Sequence, residues 1–79
     1  MRNIWKLQVS MWSDEKGSFE DQYDAYYSSK KKAIDASKGI IKVVDGDTPK
    51  VSDNGPSFVA VVPEVGLKRH CFISRQTLA

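Results

Sequence analysis

An α+β fold is what this 79-residue sequence predicts: ββαββ, with a single helix packed on one face of a four-stranded antiparallel sheet. Two-residue alternation in the first segment calls for a half-buried strand, and a three-to-four-residue apolar stripe between Lys30 and Val44 calls for an amphipathic helix. An apolar run at Phe58–Val62 followed by a turn and a returning segment calls for two further strands.

From Ile4 to Trp12, residues Trp5, Leu7, Val9 and Met11 share one face, while Lys6, Gln8, Ser10 and Trp12 share the other. Ser13 to Ser18 is polar and contains Gly17, which suits a hairpin loop. Phe19 to Tyr27 reads as the returning strand, with Phe19, Tyr23, Ala25 and Tyr27 inward and Glu20, Gln22, Asp24 and Tyr26 outward. Asp21 breaks that inward pattern, as if the strand there runs past the core edge. Ser28-Ser29 offers a helix N-cap, since a serine hydroxyl accepts from an otherwise unpaired amide of the first turn. The helix then buries Ala33, Ile34, Ser37, Ile40, Ile41 and Val44, and Asp45-Gly46 ends it. Gly39 in its middle either weakens the helix or lets something pack closely. Residues 46–57 read as a loop that touches the sheet briefly at Lys50-Val51. Pro63 to Gly66 turns the chain, and Leu67 to Arg75 is the last strand, with Leu67, Cys71 and Ile73 on one face.

Length predicts one domain over residues 1–79, and 41% hydrophobic with 28% charged residues is the composition of an ordinary globular chain. Charge is sorted along it. Ser13–Tyr27 carries five acids against Lys16, whereas Ser28–Val44 carries five lysines against Asp35, within a net charge of only +2. Such a field orients a partner without naming one. The pI of about 8.8 is below that of most dedicated nucleic-acid modules. A lone Cys71 excludes an intramolecular disulfide. The first residues lack the apolar run of a signal peptide, and no stretch is apolar enough to span a bilayer, so a cytoplasmic, reducing setting and no membrane partner are expected.

Catalytic combinations are missing from the sequence. His70 and Cys71 are the pair a nucleophile and base would need, but neighbours on a strand point to opposite faces. Asp45–Lys50 starts like a calcium loop and fails it at Pro49 and Lys50. No phosphate-cradling glycine loop and no nucleophile elbow occurs, and the paired carboxylates lie on a solvated hairpin. Expectation is therefore no enzyme, no catalytic residues, no metal and no cofactor.

Three binding readings remain. The first is a small non-catalytic protein-binding module, an inhibitor of a larger nucleic-acid-handling machine. Here Asp14, Glu15, Glu20 and Asp24 steer toward a basic partner whose nucleic-acid path they mimic, and Trp12, Tyr26 and Phe72 on the sheet face away from the helix supply the anchors. The second is a nucleic-acid binder using Lys30, Lys31 and Lys32 at the helix start with Lys68 and Arg69. A bland alternative has those three lysines leaning toward Glu20, Asp21 and Asp24. The third is a homodimer or larger homo-oligomer, with the 46–57 loop folded over the open face as the way to leave no interface at all. In size and composition the chain is similar to many small accessory proteins of phages and mobile elements, several of which block a larger machine; no particular residue carries that similarity.

Overall fold

The computed structural model describes residues 2–78. Five strands and one helix follow in the order β1 (Arg2–Ser13), β2 (Ser18–Tyr27), α1 (Lys30–Asp45), β3 (Pro49–Asp53), β4 (Phe58–Pro63) and β5 (Arg69–Leu78). All pairings are antiparallel, in the spatial order β2-β1-β5-β4-β3. The expected helix-on-sheet layering holds, but the sheet has five strands rather than four. The added strand is β3. Val51 lies opposite Val61 and Lys50 opposite Val62, so the segment read as a loop pairs along β4 and extends the sheet sideways. A proline at its start costs little there, because β3 is an edge strand.

Alternation dictates which residues are buried. Leu7 and Val9 of β1, Val59 and Val61 of β4, and Cys71 and Ile73 of β5 form the sheet side of the core. Ala33, Ser37 and Ile41 of α1, each four residues on from the last, form the helix side. Ser29 caps the helix by accepting from the Lys32 amide at 3.2 Å, and Gly46 closes it in the left-handed region at φ 66°. Val44, expected in the buried stripe, is exposed. The last turn presents Asp45 to the sheet instead, where Arg69 Nε donates to both its carboxylate oxygens at 3.1 and 2.8 Å. Arg69 Nη1 also donates to Gln22 Oε1 at 2.8 Å, which ties the helix end to β2 as well as β5. A guanidinium at a helix C-terminus also meets the negative end of the macrodipole.

The Asp21 anomaly has a local cause. Val9 pairs with Tyr23 but Ser10 pairs with Asp21, so Gln22 is an extra residue in a β-bulge. The bulge resets the alternation of β2. Phe19 and Asp21 move to the face away from the helix, while Glu20, opposite Met11, and Gln22, bonded to Arg69, move to the helix side. The expected placing of Phe19 inward and of Glu20 and Gln22 outward is therefore corrected. Leu67 is corrected too: β5 begins only at Arg69, after a connection with Gly66 at φ 90°, and Leu67 is exposed. Among the described residues no helix is long and apolar enough to cross a membrane.

Candidate interaction surface

Helix α1 covers one face of the sheet; the other carries no layer among the described residues. The strand register arranges that open face in rows. Tyr26, Lys6, Ser74 and Phe58 form one; Asp24, Gln8, Phe72, Ala60 and Ser52 the next; Asp21, Ser10 and His70 a third, continued by Val62 and Lys50. Trp12 and Phe19 pair at the hairpin end.

Across these rows runs a connected aromatic strip. Ring centroids are 5.1 Å apart for Trp12–Phe19, 4.4 Å for Phe19–His70, 5.7 Å for His70–Phe72 and 5.8 Å for the stacked Phe58–Phe72 pair. Contacts of this kind contribute about 0.5–1.5 kcal/mol each beyond area burial, so the strip is held in place before anything binds. Trp12 remains 40% exposed, Phe19 37% and Tyr26 60%. Where the strip meets the connection before β5, Trp12, Phe19, Leu67, Lys68 and His70 line a concavity of about 340 Å³. His70 Nε2 is buried without a hydrogen-bond partner, and burial holds the ring's pKa below its ordinary 6.5. The imidazole serves here as a neutral aromatic tile.

Sequence-expected anchors Trp12, Tyr26 and Phe72 thus do share one face. The acids do not. Asp24 is on that face, 3.8 Å from Lys6; Asp14 and Glu15 lie in the exposed hairpin turn; Glu20 is on the other face, paired with Lys16 at 2.6 Å. Phe19 and Asp21, missed as surface residues, replace Glu20 beside the strip, and Ser10 Oγ donates to Asp21 at 2.9 Å. Only the bulge reveals this, and it left no mark in the sequence beyond the out-of-place Asp21. Phe58 was hidden because a continuous apolar run does not show which of its residues face outward.

The cations of the nucleic-acid reading are scattered. Lys30 Nζ bonds Asp53 on β3 at 2.7 Å and the Gly55 carbonyl at 3.2 Å, and lies 5.9 Å from the Trp5 ring centroid. That ammonium holds the Asp53 carboxyl below the usual carboxylate range. Lys32 donates to Ser28. The lysines therefore do not lean on Glu20, Asp21 and Asp24. Arg69 sits at the opposite end of the 16-residue helix, about 24 Å away, engaged with Asp45. A second concavity, lined by Asp45, Asp47, Pro63, Val65, Lys68 and Arg69, has its carboxylates committed: Asp45 to Arg69, and Asp47 to the amides of Thr48 and Val65.

Compared with family models, with curated proteins and with solved structures, the chain matches none.

Proposed function

We propose that this chain is a non-catalytic protein-binding module that uses the open sheet face as its contact surface. One observation carries the reading: a five-stranded sheet with one face unlayered, bearing a pre-packed strip of Trp12, Phe19, His70, Phe72 and Phe58. Aromatic side chains flanked by polar groups are the composition of protein interfaces, where a few such rings carry most of the binding energy. Within the segment that would have covered this face, residues 46–57, Pro49–Asp53 forms β3 and widens the sheet instead. Asp21, Asp24, Asp14 and Glu15 at one side supply the field that steers a basic partner, the mode of action an inhibitor of a nucleic-acid-handling protein would need.

Nucleic acid is the weaker ligand for this geometry. Two of the five candidate cations, Lys30 and Arg69, already have carboxylate partners, and the helix length separates them. The deciding experiment is capture from a native lysate with wild-type chain, Trp12→Ala, Tyr26→Ala and a Lys31→Gln/Lys32→Gln variant, each with and without nuclease. Capture that survives nuclease and fails only in the aromatic variants supports the proposal. Capture that nuclease or the lysine changes abolish refutes it.

A further inference from the structure

The charges on the open face are arranged so that a second copy of this chain fits it. β5 is the central strand of five, so a two-fold axis lying along β5 stacks β5 on β5, β1 on β4 and β2 on β3. The two edges carry opposite charge on this face. β2 presents Asp21 and Asp24, and β3 presents Lys50. Carrying the β4–β5 register one residue past its last pair, Val61–Cys71, sets Val62 level with His70, and so sets Asp21 (through Ser10 and His70) and Lys50 (through Val62) at the same height along the strands. The axis along the strands preserves rows, so Asp21 of each copy meets Lys50 of the other, twice. An axis across the strands would set β2 on β2 and oppose the aspartates to their own copies.

We propose that the open face forms a symmetric face-to-face dimer of this kind. The proposal rests on the reading of this face as a contact surface and gives it a second occupant, another copy of the chain, which a basic partner would displace. Phe72, on β5, falls beside the axis with Phe58 and Phe19 to either side, so the rings form the dry centre and Asp21–Lys50 the rim. Face-to-face sheets pack within about 30° of alignment, which shifts the edges by a residue or two and keeps the pairing in reach of a lysine. Five strands at about 4.8 Å and seven residues of β1 at about 3.4 Å give roughly 600 Å² per copy, or roughly 1,200 Å² in all, the lower limit for a specific interface. An interface at that limit belongs with weak, transient associations. Two encounters oppose the pair: Lys68, in line with β5, meets its own copy near the axis, and Lys6 lies over Phe58 of the other copy; Lys68→Gln should tighten the pair.

Sedimentation velocity from about 1 to 300 μM reads the association directly, since a micromolar dimer passes from monomer to dimer in that range. Asp21→Lys and Lys50→Glu should each weaken it at least about tenfold, because each sets two like charges face to face. An equimolar mixture of the two variants, and the double variant in one chain, should both recover wild-type affinity. All four positions' folding is checked by thermal melting, and Phe72→Ser gives a charge-independent loss. A chain that stays monomeric throughout, or a dimer whose single variants associate as wild type does, overturns the proposal. If it is monomeric while the Trp12→Ala change still abolishes partner capture, the dimer alone is wrong and the contact-surface reading stands. A dimer that the mixture fails to restore refutes this axis.

Discussion

Gly39 and Gly46 both belong to α1 or its cap, and replacing each by alanine should move stability in opposite directions. Gly39 lies mid-helix with an ordinary helical backbone, and a Cβ built there meets nothing within 4 Å. No packing is lost or gained, so only propensity counts: glycine is about 0.8–1.0 kcal/mol worse than alanine in a helix interior, much of it through the entropy of the unfolded chain. Gly39→Ala should therefore stabilise by about 1 kcal/mol. Gly46, at φ 66°, also has open space around its missing Cβ, but alanine there adopts the left-handed conformation at a cost of about 1–2 kcal/mol. The partial return from a stiffer unfolded chain leaves a net loss of about 1 kcal/mol. Urea unfolding followed by tryptophan fluorescence separates the two. With a slope near 1 kcal/mol per molar for a domain of this size, the midpoints should rise by about 1 M and fall by about 1 M at unchanged slope. In thermal melts each kcal/mol is worth about 4–8 °C. A neutral or destabilising Gly39→Ala would show that the outer face of α1 is in contact with something, and would refute the account of this helix as solvated on that side.

Other perturbations probe the site and the core. Because burial depresses the His70 pKa, the unfolded chain binds that proton more readily; stability should be full above pH about 6.5 and fall as pH drops toward the depressed folded value. His70→Phe should remove that slope between pH 7 and 5, measured by midpoints at fixed ionic strength, and an unchanged slope would contradict the assignment. Cys71 is fully buried, with its thiol pushed up to about 11, so alkylation of the folded protein at pH 8 should be at least about a hundredfold slower than in denaturant. Equal rates would place the thiol outside the core. Arg69→Ala should cost up to about 1 kcal/mol by removing its hydrogen bonds to the exposed Asp45 and Gln22, and Arg69→Lys should recover only part of it, because a single ammonium does not reproduce the Nε and Nη1 geometry.

The alternation of Leu7, Val9 and Gln8, the Ser29 cap and the Gly46 stop were legible because each is a local rule acting within a few residues. What escaped reading was decided by contacts across the chain. Lys50-Val51 becomes a strand only because Val61-Val62 offers it an edge. Val44 lies outside the core, and the last helical turn meets the sheet through Asp45, bonded to Arg69, which is distant in sequence. Glu20 and Phe19 change faces because a bulge opens at Gln22, a choice made by the β1 pairing and not by β2 itself. At the site, Trp12, Tyr26 and Phe72 followed from parity alone. Phe19, Asp21 and Phe58 needed the register.

The pairing of β1 with β5 sets the order of events when this chain folds. Val9 and Cys71 stand side by side at the centre of the sheet yet are more than sixty residues apart in sequence. The β1–β2 hairpin can zip early, but its Leu7 and Val9 stay wet until β5 arrives, and a lone two-stranded hairpin is marginal in water. The entropy of closing that long loop has to be met before the largest apolar contacts repay it, which slows collapse to the native state. A nascent or briefly opened molecule therefore displays the β5-facing edge of β1, with its unpaired amides beside buried-type side chains, to whatever strand is nearest. At high concentration that strand is another molecule's β5. Exchange of the last strand between chains would then be the characteristic misassembly of this protein, and slow dilution its remedy.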